Sequence, residues 1–250
     1  GQFMLAMISG WLIAIEGWSN ALLIITLIVS CAGLLAFGVR GKPTTSYPDV
    51  SLSLRSALRD AFHHRGYWLL NFGFFVCGFH VTFVATHLPS YLSDLGYTGM
   101  LAATAIGAIG LANILGTLSC GLLGGIYSKK YILSILYFLR SIVIAVFIFI
   151  PISETSVIVF AALLGLLWLG TVPLTSGLVV QIFGSRYLGT LFGIVFFSHQ
   201  IGGFFGAWLG GKLYDSTNSY DLAWYIAILL GVFAAIIHLP INDRPFKYAN

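Results

Sequence analysis

Residues 40–65 read Arg40-Gly-Lys42-Pro43-Thr-Thr-Ser-Tyr-Pro48-Asp49-Val-Ser-Leu-Ser-Leu54-Arg55-Ser-Ala-Leu58-Arg59-Asp60-Ala-Phe62-His63-His64-Arg65. This is the one long polar stretch of the chain, and it holds five of the twelve Lys and Arg residues. On both sides the sequence consists of apolar runs of bilayer length, about 20 residues each. The stretch therefore reads as a cytoplasmic loop between two blocks of membrane helices, and topology follows from placing it.

Composition agrees. The 250 residues are 58% hydrophobic and 8% charged, with a mean hydropathy of +0.95, whereas soluble domains carry roughly 25% charge. Twenty Phe and twenty-nine Gly suit lipid-facing surfaces and close helix packing. The net charge of +4 does not indicate nucleic-acid binding, because the basic residues gather in loops on one side. Cys31, Cys77 and Cys120 each lie in an apolar run, far apart and without metal spacing, and read as packing residues. No metal or cofactor is expected. No G-x-S-x-G, H-E-x-x-H or phosphate-loop pattern occurs, so neither an enzyme nor an ATP-driven pump is expected. No basic segment precedes the first apolar run as it would in a signal peptide, and the chain reads as starting inside a helix.

In chain order, Phe3 to Ile15 is the outer half of a helix. Glu16 to Asn20 forms a turn with Trp18 at the interface, and Ala21 to Val39 is the first complete span. In the polar loop, Leu54, Leu58 and Phe62 recur at helical spacing. They suggest a short amphipathic helix on the inner membrane surface, although a solvated loop has the same composition. Six further spans follow: Tyr67 to Leu88, closed by Pro89, then Met100 to Gly124, Tyr131 to Ile150, Val157 to Phe183, Leu188 to Leu209 and Leu222 to Leu239. With this assignment ten Lys and Arg fall in inside loops and Lys212 alone in an outside loop, which fixes the orientation with the C-terminus in the cytoplasm. The expected architecture is an all-α integral membrane protein in three parts. Residues 1–39 end one helical half, 40–66 form the linker, and 67–250 form a six-helix half.

Six spans after a basic central loop resemble the major facilitator superfamily, which joins two six-helix halves by a long cytoplasmic loop. The resemblance implies that the chain runs from late in helix 5 to helix 12, without helices 1–4. Gly121-Leu-Leu-Gly-Gly125-Ile126-Tyr-Ser128-Lys129-Lys130 resembles that family's cytoplasmic motif Gly-x-x-x-Asp-Arg/Lys-x-Gly-Arg/Lys-Arg/Lys. Here Gly125 and Ile126 stand where the acidic and basic members belong, so the turn lacks its own charge latch. Cys77 to Leu92 and Phe197 to Gly206 are similar to bacterial monocarboxylate-porter-like members. Many carboxylate porters hold the substrate anion with an arginine in helix 8, and this helix 8 has none.

Ionisable groups inside a span are expensive and face a cavity or a partner. His80 and His87, two turns apart on one face, are candidates to bind solute or move a proton, or to be neutral imidazoles bonded to backbone. His199 and Gln200 lie mid-helix beside a Gly202, Gly206, Gly210 ridge. The resemblance places their helix in the cavity wall, which makes His199 the foremost candidate. Asn113 is a further candidate. Arg140 is the one formal charge deep in a span, about 15 Å beyond Lys130. It demands a partner: a backbone carbonyl, a substrate anion or an acid elsewhere. The resemblance places its helix at the periphery. Pro173, near Gly170 and Gly177, reads as a hinge.

The function expected is secondary transport of a small organic solute, with a proton-coupled monocarboxylate as the specific form, in a bacterial inner membrane. A non-transporting membrane scaffold or remnant is the alternative.

Overall fold

A computed structural model describes residues 2–35 and 53–246. The basic loop's Arg40, Lys42, Pro43, Pro48 and Asp49, the last residues of the first expected span, and Lys247 lie outside the described residues. The described chain is helical throughout. In order it forms α1 (Gln2–Leu35), α2 (Leu54–His63), α3 (Arg65–Asp94), α4 (Gly99–Ile126), α5 (Lys129–Phe149), α6 (Glu154–Leu166), α7 (Thr171–Phe183), α8 (Leu188–Thr217) and α9 (Asp221–His238). Counting α6 and α7 as one, six of these units are long and apolar enough to cross a membrane.

The helices begin and end for local reasons. Ser53 caps α2 by accepting from the Ser56 N–H, and Ser153 and Ser156 cap α6 reciprocally. Gly17, at φ 76°, interrupts α1 within the expected turn, and Trp18 beside it is 71% exposed. At the end of α7, Gly184 takes φ 80°, a left-handed turn that a side chain would strain. In α2 the face turned to the bundle is Ala57 and Ala61 with Leu58 partly covered, while Leu54 and Phe62 remain exposed. The expected stripe is thus rotated by about one residue from the packed face.

Two expectations about proline require correction. α3 does not close at Pro89 but runs through it to Asp94, as helices in apolar surroundings can when neighbours cover the interrupted backbone. The fourth C-terminal span is not continuous, and its break is not at Pro173. The helix stops at Leu166 and restarts at Thr171, so Pro173 sits in the first turn of α7, where helix N–H groups lack intrahelical acceptors anyway.

Packing is set by small residues. α3 lies most closely on α8: a methyl group on Gly78 would strike the His199 carbonyl, and one on Gly202 the Phe75 carbonyl. The glycine ridge of α8 is therefore a seam where two backbones touch. α5 packs on α9, α4 on α6, and α1 against α4. Two apolar clusters result. One runs through Tyr67, Leu70, Leu133, Leu178 and Ile182, the other through Phe83, Leu88, Ile109, Phe147, Phe160 and Trp224. Between them lies a polar layer at the α6–α7 break.

The two ends of the bundle are defined by contacts. At one end His64 packs on Phe183 and Phe246, and the Phe246 N–H donates to the Ile182 carbonyl. At the other, Tyr97 donates to Ile152 and Tyr91 meets Tyr220. Arg55, Arg59, Arg65, Lys129, Lys130, Arg186 and Arg244 all fall at the first end, and Lys212 near the second.

Candidate functional site

The break between α6 and α7 exposes backbone groups that a continuous helix would satisfy. The last turn of α6 tightens, with the Leu167 N–H donating to Leu164 and the Trp168 N–H to Gly165. The carbonyls of Leu167 and Trp168 and the N–H of Leu169 are left to find partners outside the helix. Arg140, fully buried, supplies the first partner: its Nη2 donates to both carbonyls, at 2.7 Å to Trp168. Asn113 supplies the second, its Oδ1 accepting from the Leu169 N–H at 3.0 Å while Thr117 donates to the same oxygen. Arg140 sits on α5, the helix expected at the periphery, yet its side chain reaches the centre of the bundle. The arginine's demand for a partner and the helix break answer each other.

The guanidinium has a second contact. Arg140 Nη1 lies 3.7 Å from Cys77 Sγ on α3, and Cys77 Sγ lies 3.2 Å from the hydroxyl of Thr171, the first residue of α7. The cation therefore faces the carbonyl end of α6, and the sulfur faces the N–H end of α7. Both arrangements follow the helix dipoles. Tyr137 and His199 also act on Cys77. Among the described residues no carboxylate pairs with Arg140.

His199 is 8% exposed and stacks on Phe196, with Phe74 on its other side. Its Nδ1 meets Oε1 of the exposed Gln200 at 3.1 Å. Among the described residues buried Nε2 has no hydrogen-bond partner, a condition shared by Tyr137 Oη, Arg140 Nε and Thr175 Oγ1 nearby on α5 and α7. Four orphaned polar atoms on these three helices mark a layer held out of water without full satisfaction.

The structure thus brings Arg140 and Asn113 together at the break and sets His199 beside Cys77. It does not bring His80 or His87 there. His80 Nε2 lies 2.7 Å from the Ala227 carbonyl, and His87 Nε2 lies 2.8 Å from the Ala207 carbonyl. A carbonyl only accepts, so each Nε2 carries the proton and donates. Cys77, Tyr137, Thr171 and Thr175 were not anticipated. Arg140's need for a neighbour pointed to such a layer, but not to its members. A surface cleft of about 530 Å³ between α4 and α6, lined by Thr98, Thr104 and Glu154, contains none of these residues.

At the basic end the turn lacking its acid is served from elsewhere. Asp243, after α9, accepts from Ser128 Oγ at 2.9 Å and lies 3.8 Å from Lys130 Nζ. Lys130 also donates to the Ile241 carbonyl, Lys129 to Gln181, and Gln181 to the Asp243 carbonyl. The segment after α9 thereby laces the start of α5 to the end of α7. The charge latch missing from the motif is rebuilt with a distant aspartate.

The comparisons with known proteins agree with this architecture. The sequence profile of the Major Facilitator Superfamily matches residues 1–207. The MFS-type transporter YcxA of Bacillus subtilis (strain 168) is 30% identical over 250 residues, covering 91% of this chain and 58% of the relative. Monocarboxylate transporter 13 of Bos taurus is 25% identical, covering 96% of this chain and 57% of the relative. The quinolone resistance protein NorA of Staphylococcus aureus (strain Mu50 / ATCC 700699) is 28% identical over 181 residues, covering 72% of this chain and 46% of the relative. The chain thus spans little more than half the length of YcxA and monocarboxylate transporter 13. With most of its length matched by the profile and its spans folded as one helical bundle, the chain belongs to the Major Facilitator Superfamily.

Proposed function

We propose that this chain forms the C-terminal six-helix half, with the end of the N-terminal half, of a secondary transporter. The transporter carries a small monocarboxylate together with a proton. Residues 1–39 belong to the first half, 40–66 link the halves on the cytoplasmic face, and 67–250 form the second half. The basic end faces the cytoplasm of a bacterial cell and carries the C-terminus.

The observation that carries this proposal is Arg140 at the α6–α7 break. A discontinuous membrane helix with a fixed charge at its gap is a recurring way to build a solute site at mid-membrane. A buried guanidinium without a carboxylate among the described residues suits an anionic solute. The likeness to a protein named monocarboxylate transporter 13 supports the same solute class. Asn113 holds the break open, and His199 with Gln200 offers polar contact on the α8 face. His80 and His87 are proposed to act as hydrogen-bond donors that tie α3 to α9 and α8.

The test is uptake of labelled lactate into proteoliposomes containing the protein expressed from its whole reading frame, with an inwardly directed proton gradient. Gradient-driven accumulation is expected, abolished by His199→Ala and retained by Phe149→Ala, a change at a side chain that is 71% exposed. Failure of the parent protein to accumulate any small monocarboxylate would overturn the proposal and favour the scaffold alternative.

A further inference from the structure

A buried cation must be balanced. Arg140 is 0% exposed, and among the described residues it has no carboxylate partner. Two titratable acids lie against it. Tyr137 presents its ring face, with the guanidinium carbon 5.2 Å from the centroid. Cys77 presents its sulfur, in contact with Nη1 at 3.7 Å. Burial alone would disfavour a charged sulfur, but several groups around it can stabilise negative charge. Arg140 approaches from α5, and the Thr171 hydroxyl, able to donate to a thiolate, lies 3.2 Å away on α7, whose positive dipole end begins at that residue. Tyr137 Oη and His199 Nε2, both buried and without a hydrogen-bond partner among the described residues, lie within the sulfur's electrostatic reach from α5 and α8. The other titratable groups within Arg140's field are His80 on α3, bonded to Ala227, and Cys120 on α4. His238 on α9 stacks on the far side of Tyr137. None of these is an acid positioned to compete with Cys77.

We propose that Cys77 is the proton-binding group of this half: its sulfur carries the charge that balances Arg140, and it takes up a proton when a solute carboxylate engages the guanidinium. This rests on the proton-coupled reading above and adds the residue that couples. Cys77 is fully buried, so no solute reaches the sulfur in this state; the proton donor in this proposal is His199, whose buried Nε2 would move onto the sulfur to deliver it. The step is a balanced transfer: the Nε2–H of a His199 imidazolium gives its proton to the Cys77 thiolate, leaving a neutral imidazole and a neutral thiol. The S–H bond forms as the N–H bond breaks, and nothing is oxidised or reduced. The layer then carries the net positive charge of Arg140, which one carboxylate neutralises. When the proton leaves, the thiolate reclaims the guanidinium and the carboxylate is released. One proton and one monocarboxylate therefore move together without net charge.

The S–H stretching band in the infrared tests this directly. The band of Cys77 is isolated as the difference between the reconstituted parent protein and Cys77→Ala, with Cys77→Ser as the reference if the alanine variant does not fold. At neutral pH the difference spectrum is expected to show no S–H band. Acidification should bring the band in, and Arg140→Gln should make it present at neutral pH. A full-amplitude Cys77 S–H band in the parent at neutral pH would overturn the proposal, whatever the solute. Uptake is read separately. If the parent moves no monocarboxylate while the S–H result holds, the transport reading fails and the ion pair stands. If the parent is active and Cys77→Ser still accumulates lactate against a gradient to within twofold of the parent, the coupling role fails.

Discussion

At the scale of single residues, the break between α6 and α7 is held by two side chains with different duties. Asn113 answers a backbone N–H and Arg140 answers carbonyls. Asn113→Ala leaves the part-buried Leu169 N–H without an acceptor. An unsatisfied buried donor costs about 1–3 kcal/mol, so the variant should unfold in detergent at lower temperature or denaturant concentration by that amount. His64 gives a second prediction. Burial lowers its proton affinity below the ordinary histidine value of 6.5, so the folded protein binds fewer protons than the unfolded chain just below that value. Stability should be fully present above pH 6.5 and fall as the pH drops below it. In His64→Gln this component of the pH dependence should vanish, as read by comparing unfolding curves of the two proteins across that window. Arg140's demand for a partner was legible in the sequence, because a charge deep in a span is costly. The partner's identity was not. Leu166-Leu-Trp-Leu-Gly170 contains no proline and gives little sign that the helix stops there, and the carbonyls become acceptors only once it does. Cys77 reads as an apolar residue until Arg140 is placed beside it.

At the scale of elements, the spans were legible because hydrocarbon thickness imposes a length that composition reports. Their interruptions were not. Pro89 looked like a terminus and Pro173 like a hinge, but α3 continues through the first and the second lies in the opening turn of α7. The glycine ridge of α8 was legible as a close-packing surface, and its partner proves to be the backbone of α3. Gly202→Ala should therefore force the two helices apart, lowering stability by about 1–3 kcal/mol, the usual scale for overpacking. The same change at Gly189, where nothing lies nearby, should be almost silent. Differential unfolding of the pair checks this. The segment after α9 forms a latch whose acid, Asp243, is 115 residues from Ser128, beyond the reach of any local motif. Asp243→Asn should cost little stability, since partly exposed ion pairs contribute about 0–1 kcal/mol. It should instead speed amide exchange at Phe246, whose N–H donates to Ile182.

At the scale of the whole molecule, the described helices form a bundle with one basic end and one nearly uncharged by Lys and Arg. The sequence count anticipated that asymmetry, and the order of the helices puts Arg55, Lys129, Arg186 and Arg244 at one end. The polar layer between the two apolar clusters has meaning only if lipid surrounds the bundle. In water the unpartnered Arg140 Nε and three orphaned hydroxyl and imidazole groups could be solvated, and the break would need no such lining. The measurement that tests the membrane-spanning account most directly is side-specific cysteine labelling in sealed vesicles, using a Cys31→Ala background in which Cys77 and Cys120 are buried. His63→Cys and Ser185→Cys should react with an impermeant thiol reagent from one and the same face, and Ser219→Cys only from the opposite face. Reaction of His63→Cys and Ser185→Cys from opposite faces would contradict the helix count and the transporter architecture built on it.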